Sequence, residues 1–116
     1  MAKIYIEIVS NNPPTVSDYD VGNIPNRSSI TLQTSFFTNN YSDPENDAFG
    51  GIKITSLPSK GELRLGGSTI TSVPTSLIPK SDLDAGKLKY YADPNDTSSY
   101  SVSFDFVPCD DKGACA

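Results

Sequence analysis

The residues with the clearest chemical potential lie in a short acidic loop. Asp43, Glu45, Asn46 and Asp47 fall within five positions of one another, shortly before a Gly-Gly pair. Carboxylate and amide oxygens on a loop are the hard ligands that Ca²⁺ prefers. The spacing does not fit an EF-hand, in which a glutamate closes a twelve-residue loop around a central glycine. The loop is therefore either a cation site of another kind or a solvated turn, since acidic residues beside proline and glycine are common in turns.

Two cysteines form the second candidate site. Cys109 and Cys115 bracket a tight turn of five residues, so their α-carbons approach disulfide distance if the chain pairs with itself across that turn. A redox-active pair is usually separated by two residues, and a zinc site needs two further ligands in a chain that has no histidine. The spacing predicts a structural disulfide, made in an oxidising compartment. Because the closed loop is short, we expect it to contribute roughly 2 kcal/mol.

Composition restricts the classes of function. The chain has no histidine, no nucleophile elbow and no phosphate-binding glycine loop, so we assign no catalytic residue and expect no enzyme. Its 116 residues suffice for one domain. With 14 acidic and 9 basic residues the net charge is −5, which repels nucleic acids and anionic membranes. No apolar run approaches the ~20 residues that span a bilayer, so no membrane insertion is expected.

Alternating apolar and polar residues predict strands throughout the chain. Pairs of apolar residues flank single polar ones at Ile30 and Leu32, Ile52 and Ile54, Leu63 and Leu65, and Leu88 and Tyr90. Residues 100–106 show the longest alternation and predict a strand that buries one face. Gly- and Pro-rich turns separate these segments, which is typical of an antiparallel sandwich. A single helical turn is predicted over residues 81–84, capped by Ser81 and stopped by Gly86.

The order of these segments resembles the cadherin-like repeats of bacterial surface proteins and the related chondroitin-sulphate-proteoglycan repeats. The resemblance spans residues 12–116 and is carried by YSDPEND (41–47), IKI (52–54), PSKGEL (58–63), IPKSDL (78–83), GKLKY (86–90), FDF (104–106) and CDD (109–111). It implies an all-β fold, an antiparallel Ig-like or cadherin-like β-sandwich. Residues 12–116 would then form a single cadherin-like repeat.

The resemblance also implies a metal and a role. Such repeats often bind Ca²⁺ at the junctions between domains, through carboxylates of this loop and of the Asp-rich turn near the end. The corresponding candidate ligands in this chain are Asp43, Glu45, Asp47, Asp110 and Asp111. Val102 departs from the pattern, because many relatives carry an aspartate there. We expect a non-enzymatic structural or cell-adhesion module of a larger extracellular or cell-surface protein, in tandem with adjacent repeats and with Ca²⁺ as a candidate cofactor.

The first residues leave three interpretations open. Ile4, Ile6 and Ile8 alternate with polar neighbours, which predicts a strand over residues 3–9 ahead of an Asn-Asn-Pro-Pro junction. Residues 1–11 are either the last strand of a preceding repeat or a strand that completes this domain in permuted order. The third interpretation is strand exchange with a second copy of the chain.

A carbohydrate-binding β-sandwich module is the alternative function. Tyr5, Tyr19, Tyr41 and Tyr91 fall at outward or loop positions, and tyrosines can stack on sugar rings. The partner would then be a glycan or a surface protein. This alternative requires a row of coplanar aromatic rings on one sheet, whereas the structural repeat requires acidic residues clustered at its poles.

Overall fold

The computed structural model describes residues 2–116 and is almost entirely β. Its strands are β1 (Ser29–Thr31), β2 (Phe49–Ile54), β3 (Glu62–Leu65), β4 (Ser68–Thr69), β5 (Ile78–Pro79), β6 (Leu88–Tyr91) and β7 (Phe106–Asp110). A four-stranded sheet has the order β1-β6-β3-β4, and a three-stranded sheet has the order β5-β2-β7. All pairings are antiparallel. The predicted all-β sandwich is confirmed.

Both sheets contribute side chains to one hydrophobic core. Ile52 and Ile54 of β2 and Leu63 and Leu88 of β3 and β6 are completely buried. These are the residues whose alternation predicted the strands, and their polar neighbours point away from the core as the two-residue period of a strand requires. The core therefore follows directly from the alternating sequence pattern.

The short helical turn is present, although its start differs from the prediction. α1 (Lys80–Asp84) buries Leu83, and Gly86 follows it with a φ of +71°. The N-cap position is Pro79, which makes no capping side-chain bond, so the predicted cap at Ser81 is wrong. A 3₁₀ turn at Thr34–Phe36 was not predicted. No helix within residues 2–116 is long and apolar enough to cross a membrane.

The last strand lies later in the chain than its alternation predicted. Val102 and Phe104 are half-buried while their polar neighbours are exposed, so the burial pattern over residues 100–106 holds. The β2–β7 ladder nevertheless begins at Phe106 and continues to Asp110. Of the residues before β7, Asp105 lies beside the end of β2, where its carbonyl accepts hydrogen bonds from the loop that follows Ile54. The prediction of a ladder strand over residues 100–106 was therefore wrong.

Residues 3–9 form no strand ladder and are named here the N-terminal arm. Ile4 and Ile8 are 90% and 91% exposed, and the other apolar residues of the arm are also exposed. The molecule measures 75 × 26 × 22 Å with a radius of gyration of 17.4 Å. A compact chain of this length has a radius of about 13 Å. The arm thus extends away from the domain and pairs with no strand among the described residues, although its alternation predicted a strand.

Candidate functional site

Three carboxylates converge where the acidic loop meets the end of β7. One oxygen each of Asp43, Asp47 and Asp110 lies within 4.8 Å of the other two. Asp43 and Asp110 are only 7% and 1% exposed, and Asp47 is half-buried. We name this cluster the acidic pole. It combines carboxylates that are more than sixty residues apart in the chain.

The loop holds Asp43 by one carboxylate oxygen and leaves the other without a partner. Asp43 Oδ1 accepts hydrogen bonds from the backbone N–H groups of Glu45 (2.9 Å) and Asp47 (3.1 Å). The loop closes where Asn46 N–H donates to the Asp43 carbonyl at 3.0 Å. Asp43 Oδ2 is buried and has no hydrogen-bond partner among residues 2–116. Because an unpaired buried carboxylate oxygen is costly, this atom indicates a missing donor or cation.

Backbone hydrogen bonds fix Asp110 at the other side of the pole. Its Oδ1 accepts from the N–H groups of Lys112 (3.0 Å) and Ala114 (2.9 Å). Burial acts to raise the pKa of the Asp110 carboxyl, but these hydrogen bonds, together with contacts to the Asn11 and Asp43 side chains, outweigh burial and hold the pKa below its usual range. Gly50 allows the approach of the two strands, since a Cβ there would meet the Asp110 carbonyl oxygen at 2.3 Å. Asp110 is thus ionised at neutral pH.

A side chain from the start of the chain also reaches the pole. The Asn11 amide lies 3.2 Å from Asp47 Oδ2 and 3.1 Å from Asp110 Oδ2, and with its nitrogen facing them it donates to both. The neighbouring Asn12 N–H donates to the Glu45 carboxylate. Asn11 was not among the predicted ligands. Its position directly before the Asn-Pro-Pro junction is the only sequence signal that could have suggested it.

Lys112 supplies the cationic partner at the pole. Its Nζ lies 3.0 Å from Asp47 Oδ1 and 3.4 Å from Asp111 Oδ1. The hydrogen bond to Asp47 is the main cause of the raised pKa of Lys112, and the charge of Asp111 adds to it. One ammonium does not balance three carboxylates, so the pole carries an excess of negative charge.

Tyr41 covers one side of the acidic pole. Its hydroxyl donates to the Asp47 carbonyl at 3.0 Å, and its ring packs edge-on against Phe49 with 5.7 Å between the centroids. Burial, followed by the negative charges of Asp43 and Asp110, raises the pKa of Tyr41 to about 12. The phenol therefore stays neutral and keeps its hydrogen bond at physiological pH.

Two of the predicted ligands point elsewhere. Glu45 is exposed and accepts the Asn12 bond, and Asp111 is exposed beside Lys112. The structure thus brings together three of the five predicted carboxylates. Glu45 lies between Asp43 and Asp47 in a turn that directs its neighbours inward and its own side chain outward.

The disulfide lies next to the acidic pole, because Cys109 directly precedes Asp110. Cys109 and Cys115 are bonded, with their α-carbons 4.0 Å apart, and they form an antiparallel bridge. On either side of the bridge, Asp110 N–H donates to the Ala114 carbonyl and Ala116 N–H donates to the Pro108 carbonyl. The bond therefore closes the turn that presents the Asp110 carboxylate.

The four tyrosines considered for glycan binding occupy four different environments. Tyr5 lies on the N-terminal arm, and Tyr19 stacks on Phe36 with 4.7 Å between the centroids. Tyr41 packs at the acidic pole, and the ring of Tyr91 is covered by the Arg64 guanidinium at 4.1 Å. These rings do not form a row on one sheet.

The fold and the site together define a β-sandwich with a buried acidic cluster at one pole. No protein-family model, curated protein or solved structure matches the chain. The resemblance to cadherin-like repeats therefore rests on the sequence motifs alone.

Proposed function

We propose that this chain is a non-enzymatic structural or adhesion repeat of a larger extracellular or cell-surface protein, and that Ca²⁺ at the acidic pole stiffens it. The buried and unpartnered Oδ2 of Asp43 carries the proposal. A carboxylate oxygen in that position needs a cation or a donor, and two more carboxylates surround it. The disulfide is consistent with an oxidising, extracellular setting.

The donor set fits Ca²⁺ better than other common metals. The oxygens are all hard ligands, whereas Zn²⁺ prefers nitrogen and sulfur. Ca²⁺ accepts six to eight oxygens in a flexible arrangement, so three carboxylates would be completed by water, by Asn11 or by an adjacent repeat. Turning the Asn11 amide by half a rotation would present its oxygen, in place of its nitrogen, to the space between Asp47 and Asp110.

Asn11 gives the proposed site a mechanical role. It lies at the junction where the N-terminal arm leaves the domain, two residues before Pro13. Proline fixes its own φ and keeps the preceding residue extended. A cation held jointly by this junction and by the body of the domain would restrict the hinge and stiffen an array of repeats.

Isothermal titration with CaCl₂ tests the proposal on the oxidised chain. We expect one Ca²⁺ per chain and loss of that binding in Asp43→Asn. Glu45→Gln is the matched control, because it removes a charge from the same loop outside the cluster, and it should bind within about threefold of the original chain. Lys112→Gln should bind Ca²⁺ more tightly, since it removes the ammonium that lies 3.0 Å from Asp47.

Absence of heat at millimolar Ca²⁺ in all four proteins would reject the cation site. Equal loss of binding in Asp43→Asn and Glu45→Gln would instead indicate diffuse attraction by an acidic surface. A MgCl₂ titration separates the ions, because Mg²⁺ demands a strict octahedron and gives up its water reluctantly.

A further inference from the structure

An open groove runs along the outer edge of β7, away from the acidic pole. Residues 104–108 form one wall and residues 14–18 form the other, and the groove encloses about 290 Å³. Within its sheet β7 pairs with β2 alone. On the outer side, the described residues give β7 a single bridge, at Cys109 and Cys115. We name this feature the β7 groove.

The backbone of the groove wall has the hydrogen-bonding pattern of an unoccupied strand edge. The Asp105 carbonyl faces β2, where it accepts from Thr55 N–H, and the Pro108 carbonyl faces outward, where it accepts from Ala116 N–H. Because these groups alternate between the two edges of an antiparallel strand, the N–H and C=O groups of Phe106 in β7 face the groove, and continuing the alternation past Asp105 would direct those of Phe104 the same way. No backbone hydrogen bond among the described residues joins them to residues 14–18.

The side chains beside the groove are also incompletely covered. Phe104 and Phe106 pack against the core but remain half-buried. A further apolar strand in the groove would cover their exposed parts and would pair with the free backbone groups. The β7 groove therefore offers a strand edge beside a partly exposed apolar strip.

The N-terminal arm has the alternating pattern of a strand with an apolar face, and it pairs with no other segment among the described residues. Ile4, Ile6 and Ile8 are 90%, 79% and 91% exposed, and they alternate with Lys3, Tyr5 and Glu7. At about 3.3 Å per residue, seven extended residues span about 23 Å, which exceeds the length of the groove wall. The arm thus has the pattern and the length that the groove requires.

The junction disfavours entry of the arm into the groove of its own molecule. Thr15 N–H donates to the Ser42 carbonyl, and Pro14 is buried, so the groove wall is fixed from this point onward. A return to the same groove would need a chain reversal immediately before Thr15. Pro13 and Pro14 fix their own φ and keep the residues before them extended, which disfavours that reversal.

We propose that the N-terminal arm of one molecule occupies the β7 groove of a second copy of this chain. The added strand runs antiparallel to β7, in the direction already set by Ala116 beside Pro108. The alternation of both segments places Ile4 beside Phe106 in β7 and Ile6 beside Phe104, so the residues just before β7 would join the ladder when the arm binds. This pairing lets the added strand bury its isoleucines on the core side.

Charge supports the same register. Lys3 then lies diagonally across from Asp105, which lines the groove together with Asp18. Diagonal neighbours on one face of an antiparallel pair are within reach of long side chains. Glu7 falls opposite Ser103, so no like charges face each other across the new pair.

The assembly has a defined geometry. Each molecule donates its arm from one surface and accepts an arm on a different surface, so the contact is heterologous. The donor strand also carries its own domain beyond the far end of the acceptor groove. Successive contacts of this kind build head-to-tail chains that lengthen with concentration, whereas reciprocal exchange of two arms would close a dimer.

Analytical ultracentrifugation of the oxidised full chain, up to 1 mM, tests the proposal. We expect the average mass to rise with concentration. Ile6→Ser should raise the concentration of half-association at least about tenfold, because it removes one buried isoleucine. Tyr5→Ser is the matched control on the opposite face of the arm and should change that concentration less than about threefold. Both positions are exposed in the monomer, so neither change threatens folding.

Peptide binding provides an independent readout. A fluorescent peptide of residues 2–10, added to the Ile6→Ser chain, should bind saturably by anisotropy, and the same peptide with Ile6→Ser should bind at least tenfold more weakly. A chain that stays monomeric to 1 mM and does not bind the peptide would overturn the proposal. So would association that survives Ile6→Ser, or amide protection of residues 4–8 in the dilute monomer, which would place the arm in its own groove.

Discussion

Replacement of Asp43 by asparagine measures how much repulsion among the carboxylates of the acidic pole lowers the free energy of unfolding. Asparagine keeps an oxygen that can accept the hydrogen bonds from Glu45 and Asp47 N–H. Its amide nitrogen takes the place of the unpartnered Oδ2 and can donate to the neighbouring carboxylates. The substitution therefore removes one charge and one unpaired atom without changing the volume of the side chain.

The distances in the cluster set the expected magnitude. Two unit charges at the 4.8 Å limit of the cluster repel by about 3.5 kcal/mol at an effective dielectric constant of 20. Lys112 and the backbone N–H groups offset part of this repulsion. We expect Asp43→Asn to raise the free energy of unfolding of the metal-free chain by about 1–2 kcal/mol, or the Tm by roughly 4–8 °C.

Ca²⁺ should reverse the order of stability. At a hundredfold excess over its Kd, a bound ion stabilises the native state by about 2.7 kcal/mol. The original chain should gain this stabilisation and Asp43→Asn should not. The variant is then the more stable protein in chelator and the less stable protein in Ca²⁺.

Thermal unfolding followed by circular dichroism, in EGTA and in CaCl₂, measures both states of both proteins. Glu45→Gln controls for the general effect of removing one negative charge from the chain. A lower Tm for Asp43→Asn in EGTA would refute the reasoning, because it would show that the Asp43 carboxylate contributes favourable contacts in the metal-free state.

Three further predictions concern the body of the domain. Replacing both cysteines by serine should lower the free energy of unfolding by roughly 2 kcal/mol, measured by urea denaturation, since the loop is short; an unchanged midpoint would contradict this. Gly61→Ala should lower the free energy of unfolding more than Gly67→Ala. Both glycines have positive φ, so the backbone strain is similar, but a Cβ at Gly61 would meet the Tyr91 carbonyl oxygen at 2.3 Å whereas a Cβ at Gly67 would meet no atom within 4 Å. In an NMR titration, the pKa of the Asp96 carboxyl should lie well below its usual range because of hydrogen bonds from Lys60 and Ser98; its contribution to stability is complete above about pH 4 and is lost as the pH falls through the lowered pKa. An ordinary pKa would show that Lys60 does not hold the carboxylate in solution.

Local sequence signals predicted the strands that carry the core. β2, β3 and β6 each combine two apolar positions with a polar one between them, and burial of that face fixes their register. β5 gave no such signal, because it is only two residues long and contains a proline. It forms against Gly51, where any Cβ would meet the Ile78 carbonyl oxygen at 2.2 Å, so it depends on a contact distant in sequence.

The candidate site was also predictable only where its residues are marked by local sequence signals. The acidic loop supplied Asp43 and Asp47 as neighbours, and the turn near the disulfide supplied Asp110. Which carboxylates point inward depends on the turn geometry, and this separates Glu45 from its neighbours. Asn11 was out of reach, since its approach to Asp110 depends on the path of the chain through the whole domain.

The Cys109–Cys115 bond also determines how the C-terminal turn responds to tension. A pulling force applied beyond Cys115 passes through the sulfur atoms into Cys109 and then into the ladder between β7 and β2. Residues 110–114 lie outside this load path, inside the closed covalent loop. The segment that presents Asp110 can therefore keep its shape while the rest of a stretched domain carries the force.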